Sequence, residues 1–426
     1  MHLHGHPVMF PFAGITILAA CTAGDTGNGA ATVRDSAGVS IVHSSGGLWS
    51  GPPPLVTEVV RIGAVEGADH LQFHRILTID VDAGGTIFVG NDQTGTVRVF
   101  GRDGTFLHEF GGKGNGPGEY QELSRVMVAD DRVVVSDLVD GGRHGVYDRD
   151  GTLMAFWTGA QIGGGRVSLH AMTPFAWIAI QPPADLPSLA PGETFEYRTA
   201  LVRVDPEAGT IGDTLFHLPG QKFYGGYLTP LFDPPKALEI DDTGRLYLSL
   251  GDPYRIEVLA PGADMPRAYR LQRIITRDIE GVPVSDPDIE VLKARIASRY
   301  DTMTTVPAER RTALRDRAVS RIDERSRLVR RSTLPPLGRL LVSPDGSFWV
   351  ERIDTVSPAD FEYGRITGAP LPTRWDLFDE QGRFLVQVEL DPRFTPFAAR
   401  GTEITGVLKD QLDVEFVVTY RIEQQR

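Results

Sequence analysis

Short runs of alternating apolar and polar residues, each closed by an Asp-Gly or Asp-x-x-Gly turn, recur along this chain. One unit runs from Arg75 to Val89, continues from Val97 to Gly104 and ends with Thr105 to Phe110. A second runs from Arg125 to Val135, from Gly145 to Gly151 and from Thr152 to Phe156. The same order returns at Leu238 to Leu248 with Arg255 to Val258. It returns again at Leu340 to Val350 with Trp375 to Gly382 and Arg383 to Val388. Alternating runs of this length between Asp and Gly are half-buried antiparallel strands joined by tight turns. Four of them make a twisted sheet whose two faces are both apolar. A closed ring of such sheets buries each face against a neighbour and leaves few free edges.

A weaker copy lies between, at Arg166 to Met172, Trp177 to Ile180 and Ala200 to Asp205. A sixth is assembled from both ends of the chain. Ile404 to Leu408 and Val414 to Ile422 supply inner strands, and Leu55 to Ile62 the outermost. The expected fold is therefore all-β: a six-bladed β-propeller of four-stranded antiparallel blades over residues 37–426, closed by pairing of its N- and C-terminal segments. One α-helical insertion, over about residues 285–333, interrupts it. Ser285 is placed to cap a helix, with Pro287 in its first turn. Ile289, Leu292, Ile296 and Tyr300 then recur at helical spacing. Pro307 opens a second stretch to about Val329, with Leu314, Val319, Ile322 and Leu328 as sparse apolar positions.

Composition changes this picture in two places. The net charge of −13 argues against a nucleic-acid partner, because that electrostatic attraction needs a basic surface. Yet Lys293 to Arg331 holds twelve Lys and Arg against five Asp and Glu. This basic insertion reads as a solvated hairpin, as a flap over a channel mouth, or as a surface that meets anionic lipid.

The apolar stretch from Val8 to Ala20 is too short to span a bilayer and suits a signal peptide over residues 1–20. Its n-region carries three histidines, His2, His4 and His6, and no Lys or Arg; Pro11 interrupts the apolar run. Leu18-Ala19-Ala20-Cys21, holding the single cysteine of the chain, resembles the bacterial lipobox. That resemblance implies an acylated Cys21 anchored in a lipid bilayer. Thr22 in the next place resembles lipoproteins sorted to the outer membrane, so the implied location is the cell envelope, facing the periplasm or the surface. Residues 21–36, rich in Gly, Ala, Thr and Asp, read as a flexible tether.

Asp-x-x-Gly-x-hydrophobic-x-Val followed by Val97-Arg98-Val99-Phe100, and then the Gly-Pro-Gly-Glu loop within Phe110 to Tyr120, resembles the NHL-type repeat. From about Val33 onward the chain resembles bacterial six-bladed β-propeller lipoproteins of unassigned function. The opening Arg34 to Val42 and the closing Asp410-x-x-Asp-Val-Glu-x-Val-x-x-Tyr420 carry that likeness. The resemblance implies the fold and supplies no activity.

Aligning the units on their turn aspartates Asp80, Asp130 and Asp241 places Arg75, Arg125 and Lys236 five residues before them. Arg339 falls six before Asp345, and His170 begins the weak unit. Such a ring of cations at one mouth of the central channel favours an anionic ligand. The competing reading pairs the same side chains with neighbouring carboxylates. His74 and His170, near strand starts, are weak candidates for a metal. Two histidines do not complete a zinc site, and no repeat position supplies His144 or His217 as a third. No Gly-x-Ser-x-Gly elbow or His-Glu-x-x-His motif occurs, and the glycine-rich Gly111 to Gly118 lacks a Gly-Lys-Ser/Thr ending. The expected function is a ligand-binding or protein-interaction module at the envelope, without a cofactor, whose partner is a small molecule or an envelope protein. The alternative is a channel-site lyase or lactone hydrolase, with the zinc or calcium that NHL-like and lactonase-type propellers imply.

Overall fold

The computed structural model describes residues 30–129, 131–137, 142–158, 168–172, 177–181, 187–190, 193–205, 210–224, 231, 237–251, 253–262, 269–303, 306–328, 333–354 and 373–425. Three N-terminal strands, β1 (Ala31–Ser36), β2 (Val39–Ser44) and β3 (Leu55–Ile62), find their partners elsewhere in the ring. Blade one is β4 (Ile76–Val81), β5 (Ile87–Asn91), β6 (Thr96–Phe100) and β7 (Phe106–Gly111). Blade two is β8 (Leu123–Ala129), β9 (Arg132–Asp137), β10 (Arg143–Asp148) and β11 (Leu153–Thr158). The weak unit forms blade three, from β12 (Ser168–Met172), β13 (Trp177–Gln181), β15 (Ala200–Val204) and β16 (Ile211–His217). Its connections pair separately as β14 (Thr194–Tyr197) with β17 (Gln221–Tyr224).

Blade four is β18 (Ala237–Ile240), β19 (Leu246–Ser249), β20 (Arg255–Pro261) and β21 (Tyr269–Arg277). The helices α1 (Asp286–Thr302) and α2 (Ala308–Leu328) follow it. Blade five is β22 (Leu337–Val342), β23 (Phe348–Arg352), β24 (Thr373–Phe378) and β25 (Phe384–Leu390). Blade six is β26 (Phe394–Arg400), β27 (Glu403–Lys409) and β28 (Glu415–Glu423), completed by β3. The fold is the six-bladed propeller that the repeat implies.

Period-two alternation holds the ring together. In β9, Val133 and Val135 face blade one while Val134 faces blade three. In β23, Phe348 and Val350 pack on blade four while Trp349 packs on blade six. Six apolar clusters result, one at each junction between consecutive blades. The last junction closes the ring: β3 pairs antiparallel with β28 from Leu55 opposite Glu423 to Ile62 opposite Val417. Glu415, from the closing motif, adds a polar latch by accepting the Ile76 N–H of blade one at 2.6 Å.

Residues 31–36 differ from the expected tether. They form β1, which folds back on β2 through a tight turn with positive φ at Ala37 and Gly38. β2 then runs parallel along β21 and extends blade four to six strands. The physical reason is the outer edge of β21, a row of backbone groups that the hairpin satisfies. Val42 of β2, 1% exposed, joins the junction between blades four and five.

The helical insertion forms as expected. Ser285 and Asp288 make a capping box, with the Ser285 N–H donating to Asp288 Oδ2 at 2.8 Å. Ile289, Leu292 and Ile322 pack with Leu231, Val284 and Leu334. These neighbours sit in the connections leading into β18 and β22, so the hairpin rests on the end of the ring where the inner strands begin.

Candidate functional site

The innermost strands present backbone to the channel, so side chains reach it only where the strand is distorted or the next blade leaves room. Among the described residues a β-bulge supplies the distortion in five inner strands: β4, β8, β12, β22 and β26. The extra residue of a bulge is re-aimed out of the ladder. Here these residues are Leu77, Ser124, His170, Arg339 and Phe397, and all of them line one central cavity of about 580 Å³. The cavity extends to the turns that end the inner strands, at Asp82, Asp241 and Ser343, away from the helical insertion.

The candidate cations divide on this geometry. Arg125, His170 and Arg339 line the cavity. Arg75 does not: it lies before the bulge of β4 with φ 62°, its side chain 61% exposed and ion-paired with buried Asp92. Lys236 and Cys21 lie outside the described residues. Arg339 holds Glu351 through two hydrogen bonds of 2.9 Å and lies 5.2 Å over the Trp375 ring. Burial would raise the Glu351 carboxyl, but the Arg339 charge outweighs it and holds the group below the usual range. Arg339 is thus largely neutralised, as the pairing alternative expects.

The register explains why Arg75 falls out of the ring. Val81 pairs with Ile87 as Ile240 pairs with Leu246, and the turns start at Asp82 and Asp241. Asp80 is therefore equivalent to Glu239 and not to Asp241. Both acids lie inside their strands and line the cavity. The sequence signal is the matching pair Ile79-Asp80-Val81-Asp82 and Leu238-Glu239-Ile240-Asp241, each an acidic residue two places before the turn aspartate.

Asp80 uses its carboxylate across the blade junction, accepting the Val128 N–H at 2.7 Å and the Val81 N–H at 2.8 Å. Glu239, in the equivalent place, makes no hydrogen bond or ion pair with any described residue. Burial pushes the Asp80 carboxyl up to about 7 against the lowering effect of its backbone donors and of Arg125. Burial also pushes Glu239 up to about 7; the Arg125 charge opposes the rise and the Asp80 charge adds to it. The three groups form one coupled unit, whose two acids keep or lose protons near neutrality.

His170 bridges blades three and four. Its Nε2 donates to the Leu238 carbonyl at 3.0 Å, while Arg125 Nη1 approaches Nδ1 at 3.5 Å and donates to the His170 carbonyl at 3.1 Å. Burial and the Arg125 charge push the imidazole down to about 3, so it stays neutral at ordinary pH. With Nε2 bonded to Leu238 and Nδ1 facing a guanidinium, this ring does not fit a zinc ligand. His74 is exposed and does not line the cavity. Buried His144 bonds Ser136 within blade two, and His217 ends β16. Among the described residues, no three His, Cys, Asp or Glu side chains converge as a metal set.

The lining holds five carboxylates, Asp80, Asp82, Glu239, Asp241 and Asp242, and three guanidiniums, Arg125, Arg149 and Arg339. Asp82 is paired with Arg149, Asp241 with Arg245 and Arg339 with Glu351, which leaves Asp80, Glu239 and Asp242 beside Arg125. The sequence hides this sign because Asp80, two places before Asp82, looks like a turn residue and Glu239 lies within an apolar run.

Residues 60–140 match the DUF5128 family model, described as a 6-bladed beta-propeller. The chain is a six-bladed β-propeller. Among solved structures, a member of the DUF4221 family from Bacteroides vulgatus ATCC 8482 superposes with TM-score 0.50 at 8% identity, covering 88% of this chain and 97% of that one. A protein of Bacteroides fragilis NCTC 9343, provisionally named as exported, gives TM-score 0.48 at 10% identity over 90% and 99%. A catalytically inactive virginiamycin B lyase from Staphylococcus aureus, solved with quinupristin, gives 0.38 at 8% identity over 86% and 99%. What the DUF4221 protein shares with this chain is the fold. No curated protein matches the sequence. No helix among the described residues is long and apolar enough to cross a membrane.

Proposed function

We propose that this propeller is an envelope-tethered binding module whose channel takes a small cationic molecule, such as an aliphatic amine. The supporting observation is the coupled pair Asp80 and Glu239, which faces a 580 Å³ cavity lined by five carboxylates and three guanidiniums. The anionic ligand expected from a basic ring loses its basis once Arg75 lies outside the cavity and Arg339 is paired with Glu351. A cation placed at Glu239 supplies a hydrogen-bond donor to a carboxylate that only the Arg125 positive charge faces among the described residues.

Thermal unfolding with putrescine and spermidine, beside succinate at matched ionic strength, tests the sign. The amines are expected to raise the midpoint in wild type and to lose that effect in Glu239→Gln. Stabilisation by succinate alone would overturn the reading.

The tether rests on the lipobox-like Leu18-Ala19-Ala20-Cys21. In a bacterial host, wild-type protein is expected in the membrane fraction and Cys21→Ser in the soluble fraction, because stable anchoring requires the acyl chains. Membrane retention of Cys21→Ser would contradict a lipid anchor.

A further inference from the structure

A second cavity, of about 180 Å³, opens across the closing seam between blades six and one. Arg400, Glu403 and Arg421 of blade six and Arg102 and Asp103 of blade one line it. One carboxylate there is shared by three guanidiniums. Arg421 reaches Glu403 Oε1 with Nε at 3.1 Å and Nη2 at 2.8 Å. Arg400 Nη2 reaches Oε2 at 2.5 Å, and Arg102 Nη2 reaches Oε1 at 3.4 Å. Burial would raise the Glu403 carboxyl, but the hydrogen bonds from Arg421 and Arg400 hold it low, so it stays charged.

Three guanidiniums against Glu403 and Asp103 leave the pocket with net positive charge in a chain of net −13. A guanidinium carries five N–H donors. Arg421 directs two of them at Glu403, and Arg400 and Arg102 direct one each. Arg102 is also held in place from behind. A Cβ on Gly85 would lie 2.9 Å from its Cγ, so the stem lies flat against that glycine. Guanidiniums from both sides of the seam thus meet at Glu403 in the pocket wall.

We infer that this seam pocket binds a tetrahedral oxyanion of the phosphate or sulfate class, which ties the first blade to the last. Forks arriving from separate strands match a group with three or four acceptor oxygens better than a planar carboxylate with two. The cavity exceeds the ~30 Å³ share of one water several-fold, which leaves room for such an ion.

The test compares thermal unfolding of the full chain in phosphate, chloride and acetate at equal ionic strength. Phosphate at ten times its dissociation constant is expected to raise the midpoint by roughly 2 °C over chloride. The shift is expected to vanish in Arg102→Gln, whose side chain is 57% exposed and tolerates replacement. It is expected to grow in Glu403→Gln, which removes the competing carboxylate. Equal midpoints in phosphate and chloride, a full shift in Arg102→Gln, or acetate matching phosphate would each overturn the site. Should Glu403→Gln fail to fold, the Arg102→Gln comparison decides alone.

Discussion

A chain ended at Lys409 is expected to lose cooperative folding of the whole ring, and not of blade six alone. The truncation removes β28, an interior strand with β27 on one side and β3 on the other. Val418 and Ile422 leave the junction with blade five, and Val417 leaves the junction with blade one. Burying three such side chains contributes roughly 5–9 kcal/mol, which compares with the whole net stability of a typical domain, about 5–15 kcal/mol. Glu415 goes too, so the Ile76 N–H loses its acceptor. A propeller opened at one junction exposes two apolar faces and two strand edges at once.

The control is removal of residues 30–44, which takes away β1 and β2. These cover the outer edge of blade four and add Val42 to its junction with blade five, while β1 is exposed along all of its length but Ala31. That variant is expected to keep a single sharp transition at a lowered midpoint. Circular dichroism on heating distinguishes the two. Equal tolerance of both truncations would contradict closure by β3 and β28.

Glu239→Gln is expected to stabilise the protein at pH 8 by on the order of 2–3 kcal/mol and to change it little at pH 4. Asp80 and Glu239 both have carboxyls raised to about 7 in the folded channel, chiefly by burial. Between the ordinary carboxylate range near 4 and pH 7, the folded state holds protons that the unfolded chain has released. Stability from these groups therefore falls as pH rises through that window and levels off above it. Glutamine removes one of the two raised ionisations, so the fall should shrink by about half. Thermal midpoints of wild type and variant across pH 4 to 8 should converge at the acid end and separate at the basic end. Parallel curves would mean that Glu239 ionises as freely in the channel as in the unfolded chain.

The blades were legible because their signal is local. Period-two alternation and Asp-Gly turns declare strands wherever both faces of a sheet are buried, and Glu415 and Tyr420 sit in a recognisable closing motif. β1 was not legible, since a six-residue strand with five exposed positions has no apolar pattern to show. What decides its structure is β2, itself held on the edge of β21 more than two hundred residues away.

The channel was half legible. His170 and Arg339 occupy bulge positions, and Arg125 stands one place beyond its bulge, so alignment on the turns carried them to the cavity wall. Asp80 misled that alignment because Asp80 and Asp82 are two apart, and in a strand two residues apart share a face. No apolar pattern says which aspartate starts the turn. The hydrogen bonds do: the Asp82 N–H donates to the Thr86 carbonyl, while the Asp80 carboxylate reaches across to Val128. Moving the register by two residues takes Arg75 out of the ring and brings two acids in, which reverses the charge expected of the ligand.

Calorimetric titration of spermidine into the full chain at pH 7, repeated in buffers of different ionisation enthalpy, tests that reversal most directly. A cation that binds at two carboxyls titrating near 7 must displace part of a proton. Binding with net proton release in wild type, and weaker binding with little release in Glu239→Gln, is the predicted result. Binding with no proton release, or of equal strength in the variant, would contradict a cation site at Asp80 and Glu239.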